Sequence, residues 1–128
     1  MIRPATVEDT PEIIALLRVC DLYNADIDYR EWSHPTLVYE SDNRLIGMCQ
    51  VILGQPYAYM TEIGIHPDYQ DKGIGKQLVD AMEVIMRNCG IKAWCAIIMG
   101  WNPITARRIE HIGARIKGHG TAYMKVIK

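Results

Sequence analysis

Ile13, Ile14, Leu16, Leu17 and Cys20 fall at intervals that bring them back to one side of a helix, and polar residues fill the positions between. Asp9 stands three residues before Glu12, with Pro11 early in the first turn, which predicts a capping box opening this amphipathic helix. The next stretch, NADIDYREWSHP, has no clear period and ends at Pro35, so it reads as a short helix or an ordered loop. From Thr36 the pattern shortens. TLVYE, RLIGMCQVIL and YAYMTEIGI alternate or run apolar over strand lengths, with SDN and GQP as turn chemistry between them, and predict an antiparallel meander. After Pro67 the helical period returns in GIGKQLVDAMEVIMRNCG. Here Ile74, Leu78, Ala81, Met82, Ile85 and Met86 share a face and Gly90 ends the helix. IKAWCAIIM reads as a buried strand, and NPITARRIEHIG as a helix with Asn102 at its N-cap and Gly113 past its end. ARIKG and TAYMKVI read as closing strands. With the short apolar start, the sum is an α/β (α+β) fold: a mixed, mostly antiparallel sheet of about seven strands flanked by about four helices.

Composition narrows the function classes. A chain of 128 residues that is 49 % hydrophobic predicts one domain over residues 1–128 with a single closed core. A net charge of −1 offers no basic footprint for nucleic acid or an anionic membrane, so neither is expected as a partner. Cys20, Cys49, Cys89 and Cys95 form no CxxC pair and each lies in an apolar run, which predicts structural thiols in a reducing compartment. The opening MIRPATVEDT has no apolar signal core and no run reaches a membrane span, so the expectation is a soluble, cytoplasmic chain. His34, His66, His111 and His119 are scattered without metal-ligand spacing, and no metal is expected.

The stretch QDKGIGKQ sets Gly73 and Gly75 between a strand and the long helix. A dinucleotide fingerprint would need a third glycine where Leu78 stands, and a Walker loop would need a glycine at Gln70 and a hydroxyl at Gln77. A helix N-terminus whose bared amides receive a pyrophosphate fits all the positions. A plain turn and helix cap remains the simpler alternative for a bare GxG. The surrounding pattern separates the two: Gln70-x-x-Gly73-x-Gly75 after IGIHPDY resembles the phosphate-binding motif of the GNAT superfamily of N-acyltransferases, written Arg/Gln-x-x-Gly-x-Gly/Ala. IRPATVEDTPEIIALL is similar to that family's first strand and helix, and NPITARRIEHIGA to its Asn-started helix before a closing strand.

The resemblance implies a sheet splayed at the coenzyme cleft and acetyl-CoA as cosubstrate. Its pyrophosphate would lie on the amides of Lys72, Gly73, Ile74, Gly75 and Lys76, in a loop begun by Asp71 and shaped by Gln70. Its pantetheine would lie along Ile63, Gly64 and Ile65 and against Asn102. Arg107 and Arg108, with Lys72 and Lys76, would be available to the ribose phosphate.

Acetyl transfer to an amine needs the ammonium proton removed, since a lysine-like amine titrates near about 10.4. Glu62, the one carboxylate inside YAYMTEIGI, is the candidate base; a side chain facing outward from a half-exposed strand is the alternative. By resemblance the Ile65 N–H would stabilise the tetrahedral oxyanion, with Gly64 easing a bulge or, alternatively, marking close packing. Ile109 stands where the family often has a tyrosine acid. Three alternatives follow: the thiolate leaves unaided, Tyr123 or His111 protonates it, or the chain binds acyl-CoA without catalysis.

Asp21, Asp26, Asp28 and Glu31, interleaved with Tyr23, Tyr29 and Trp32, border the acceptor side by resemblance. They suit a small-molecule or peptide amine of cationic character, unless the segment is simply solvated. The expected function is an N-acetyltransferase acting by direct attack on the thioester. An inactive coenzyme-binding module and a pure interaction domain are the rivals, and a homodimer is left open.

Overall fold

The computed structural model describes residues 1–25, 27–30, 34–97, 110–111, 115–116 and 122–127, with the backbone alone at 97, 115–116 and 122–124. In chain order come β1 (Ile2–Pro4), a 3-10 turn (Val7–Asp9), α1 (Thr10–Val19), β2 (Thr36–Ser41), β3 (Arg44–Ile52) and β4 (Ala58–Ile65). A second 3-10 turn (Pro67–Tyr69) leads to α2 (Ile74–Asn88), then β5 (Ala93–Ile97), β6 (Arg115–Ile116) and β7 (Ala122–Val126). The seven strands form one sheet in the order β1-β2-β3-β4-β5-β7-β6, antiparallel throughout except where β4 meets β5. The meander is as expected, and Asp42 and Asn43, both at positive φ, make the tight turn between β2 and β3. The segment 21–35 holds no helix among its described residues, and of the Asn102 helix only the helical pair 110–111 is described. No helix among the described residues is long and apolar enough to cross a membrane.

Among the described helices, α2 packs on one face of the sheet and α1 on the other. Successive residues of β2 serve opposite sides: Leu37 joins Ile46, Cys49, Val51 and Met60 under Leu78, Met82 and Met86 of α2, while Val38 joins Leu45 and Met48 under Ile13, Leu16 and Leu17 of α1. The predicted α2 stripe is right, but it is wider. Val79 and Glu83 are buried as well, and Glu83 Oε2 accepts from the Trp94 indole at 2.9 Å and the Lys125 ammonium at 2.6 Å. This buried carboxylate has partners from two strands, as a charge removed from water requires. It locks α2 to β5 and β7.

The capping expectation is corrected in register. Asp9 closes the turn before α1, accepting from the Thr6 backbone N–H at 2.8 Å and from the Arg3 fork at 2.8 and 2.9 Å. Thr6 and Asp9 have the same spacing one turn earlier, so Glu12 is released to accept the Leu45 N–H at 3.1 Å and tie α1 to β3. Arg3 holds the Asp9 carboxyl down at about 2, well below its ordinary value. All four cysteines are free. Cys49 is buried, its thiol pushed up to about 12 by desolvation, whereas Cys89 at the end of α2 is exposed, against the expectation of a buried thiol.

Candidate active site

The site begins where the sheet opens. Among the described residues β4 pairs with β5 only at Ala58↔Trp94 and Tyr59↔Cys95, so past Tyr59 no described residue of β5 covers the edge of β4. The His66 N–H donates to the Ile46 carbonyl at 2.8 Å across from the Gly47↔Ile65 pair. That geometry makes the pair a wide one and turns the Ile65 N–H and C=O away from β3, onto the open edge, and by alternation those of Ile63 too. The Ile65 carbonyl accepts from Gln70 Nε2 at 2.9 Å and from the Cys20 thiol at 3.2 Å. Gln70 thus ties the start of the loop back to the strand end. His66 accepts the Asp68 N–H on Nδ1 at 3.1 Å, which shapes the turn between them.

Beyond Gln70 the chain enters α2 through Asp71 (φ 61°) and Gly73 (φ 83°), both left-handed, with Gly73 at the N-cap. The first helical bond runs from the Gln77 N–H to the Gly73 carbonyl at 3.1 Å. The amides of Ile74, Gly75 and Lys76 therefore have no intrahelical acceptor, no side chain among the described residues caps them, and no acidic residue occupies the first turn. A Cβ at Gly75 would lie 3.8 Å from Ile65 and 3.9 Å from Ile63, in ordinary contact, so the protein's own packing does not require glycine there. Anything longer would extend into the space between α2 and the open edge of β4. Bared amides at the positive end of a helix, beside a free strand edge, fit a pyrophosphate with an extended chain attached. Lys72 Nζ lies 5.6 Å over the Tyr69 ring, and Lys76 pairs with Asp80 at 2.7 Å.

The opposite face of β4 holds the titrating group. Gln50 stands opposite Glu62 but Val51 opposite Met60, so Thr61 is an extra residue on β4, a bulge. Without it Glu62 would share the α2 face with Met60; with it, Glu62 and Gly64 turn toward α1. The bulge expected at Gly64 is corrected accordingly. Cys49↔Ile63, Met48↔Gly64 and Gly47↔Ile65 pair without interruption, and a Cβ at Gly64 would come within 3.4 Å of Leu22 and 3.5 Å of the Cys20 sulfur. These are ordinary contact distances, so packing against α1 and the residues after it does not by itself require glycine at position 64.

Glu62 Oε1 accepts from the Tyr29 hydroxyl at 3.1 Å, while Oε2 is buried with no partner. Burial pushes the Glu62 carboxyl up from its ordinary value and the Tyr29 bond offsets this in part. Tyr29, only 3 % exposed, is itself raised to about 12 by burial and by the Glu62 charge. It stacks on Tyr23 at 5.8 Å, and Arg18 lies 4.6 Å over the Tyr23 ring. Sequence reasoning placed Tyr29 in the acceptor segment but did not join it to Glu62.

The acidic wall is weaker than expected. Asp28 is exposed and forked onto Arg30 at 3.0 and 2.9 Å, which holds it at about 2, and Asp21 is exposed at positive φ. Asp26, Glu31 and Trp32 lie outside the described residues, as do Asn102, Arg107, Arg108 and Ile109. Tyr123 sits in β7 between Ala96 of β5 and Ile116 of β6, and His111 is exposed.

Comparison with known proteins fits this arrangement. The structure of the PaiA N-acetyltransferase of Thermoplasma acidophilum in complex with coenzyme A superposes with a TM-score of 0.83 at 20 % identity, covering 98 % of each chain. That of yncA, an acetyltransferase of Salmonella typhimurium with its cofactor acetyl-CoA, gives 0.76 at 19 % identity, covering 100 % of this chain and 94 % of that one. At these identities the likeness is one of fold. A mycothiol acetyltransferase of Propionibacterium freudenreichii is 29 % identical over 70 residues, 55 % of this chain but 22 % of its own length, so the chain spans about a fifth of that relative. The pattern of the acetyltransferase (GNAT) family matches residues 6–114, which take in the splayed strand, the glycine loop and Glu62, and the chain belongs to that family.

Proposed function

We propose that the chain, as one domain over residues 1–128, is a cytoplasmic N-acetyltransferase that moves the acetyl group of acetyl-CoA to a primary amine. The observation that carries this reading is the opening between β4 and β5, with the uncapped start of α2 on one side of β4 and Glu62 on the other. Coenzyme A and acetyl-CoA in two structural relatives support it.

Acetyl-CoA supplies the activated acyl group. The amides of Lys72 to Lys76, in the loop entered through Asp71 and Gln70, receive its pyrophosphate. The free edge of Ile63, Gly64 and Ile65, with Asn102, receives the extended arm. The Ile65 N–H donates to the oxyanion as the carbonyl becomes tetrahedral, and its residue is held in place by the two bonds to its own carbonyl. Glu62, its carboxyl raised by burial, takes the ammonium proton directly or through water. The amine nitrogen then bonds to the carbonyl carbon, the C–S bond breaks with sulfur leaving with the electron pair, and the nitrogen gives up its second proton to water, leaving the neutral amide. A thiol titrating near about 8.5 departs as thiolate at modest cost, and Tyr123 is the group proposed to protonate it. The acceptor is a small or peptide amine. Because Arg30 engages Asp28, a cationic acceptor would depend on Asp26, the tyrosine faces and Glu62.

Acetyl-CoA at about 100 times its Kd should stabilise the protein by roughly 2.7 kcal/mol, read as a rise in melting temperature. Gly75→Glu should fold and show no rise. A rise in both, or in neither, would overturn the coenzyme site. Thiol release that depends on an added amine then tests transfer: binding without release across a broad amine panel would leave the inactive module as the answer.

A further inference from the structure

Tyr29 is buried in the α1-side core, although its described neighbours Ile27, Asp28 and Arg30 are exposed. Its backbone carbonyl accepts from the Thr10 hydroxyl at 3.2 Å, its ring stacks on Tyr23, and its hydroxyl oxygen accepts the Asn24 N–H at 3.3 Å. With that N–H directed at its oxygen, the phenol donates its own proton to Glu62 Oε1. The second carboxylate oxygen remains without a partner. A buried polar atom left unpaired has a cost, and such atoms persist where function uses them.

We propose that Tyr29 is a positioning residue for the base: it fixes the Glu62 carboxylate through Oε1 so that Oε2 is the oxygen that takes the acceptor's proton. This rests on Glu62 being the base, as argued above. The inference joins an anchored donor, a two-oxygen carboxylate and a strand bulge. Thr61 turns Glu62 out of the α2 core, and Tyr29, 33 residues away in sequence, meets it on the α1 side. Among the described residues, few charges compete at this place. Around Glu62 are Gln50 opposite on β3, the Cys20 thiol over Gly64, Tyr23 behind Tyr29, and Arg18 directed at the Tyr23 ring; among the described residues no ion pair reaches Glu62.

The test is the pH profile. A donor to the carboxylate favours its ionised form, so Tyr29→Phe should raise the Glu62 pKa and move the acid limb of kcat/KM for the amine to higher pH. Turnover should fall about tenfold at neutral pH and recover as pH rises, with coenzyme affinity unchanged. A fluorinated tyrosine at position 29, a stronger donor of the same shape, should move the limb the other way. A carboxyl NMR titration of Glu62 should show both shifts without an assay. Unmoved limbs and titrations in both variants overturn the proposal, and a limb that moves only because the phenylalanine variant melts early is separated by the fluorotyrosine protein. If Glu62→Gln keeps the parent's rate and pH profile, the base assignment itself has failed. If it loses turnover while the Tyr29 variants match the parent at every pH, only the role of Tyr29 has failed.

Discussion

The two faces of β4 are built by different means. On the α2 face the groups proposed to bind the coenzyme are backbone amides and a strand edge, arranged by a glycine, a left-handed turn and the start of a regular helix. On the α1 face the proposed base is a side chain whose orientation depends on a bulge and on a phenol 33 residues away. The first arrangement is local and repeats wherever its few residues recur. The second is assembled from distant parts, so a change there can leave the proposed coenzyme cradle intact.

The largest test of that division is Glu62→Gln. Losing a general base should lower turnover about a thousandfold while the melting shift with acetyl-CoA persists, since the amides proposed for the pyrophosphate lie on the other face. Steady-state kinetics beside thermal shift would check it. A variant that loses coenzyme binding together with turnover would show that the two faces are not separable.

The same division explains what the sequence made legible. The strands, the α2 stripe and the glycine loop followed from short-range pattern, because alternation, helical period and left-handed turns are written in neighbouring residues. The bulge was placed at Gly64 because glycine is the usual local sign of one, yet the ladder breaks at Thr61, which has no such sign. Thr61 decides which face receives Glu62, and only the pairing with Gln50 and Val51 shows it. Tyr29 and Glu62 each appeared as candidates, but nothing in their spacing joins them. Glu83 was missed for the opposite reason: a carboxylate in a helix reads as solvated unless the partners that bury it, Trp94 and Lys125, are known.

Glu83 gives the next test, on stability. Glu83→Ala leaves the Lys125 ammonium and the Trp94 indole without their acceptor beneath α2, and should cost about 3 kcal/mol in urea unfolding. Since the triad holds the body of the helix rather than its start, the remaining folded protein should still bind acetyl-CoA. A loss below about 1 kcal/mol would mean that α2 is held by its apolar stripe alone.

The smallest effect divides the glycine pair itself. Gly73 occupies a left-handed conformation with open space around its missing side chain, so Gly73→Ala should destabilise by about 1 kcal/mol from backbone strain and not from a clash. Gly75 is within the helix and has room for a methyl group beside Ile63 and Ile65, so Gly75→Ala should stabilise by about 0.5 kcal/mol. That methyl group lies against the protein, so coenzyme binding should survive in Gly75→Ala and fail in Gly75→Glu. Melting temperatures of the two alanine variants, with and without acetyl-CoA, read both signs in one experiment. Opposite signs would mean that Gly73 is required by the turn and Gly75 by what must fit between α2 and β4. Equal losses would mean that the start of α2 is strained at both positions and that the space beside Gly75 is not what excludes a larger side chain.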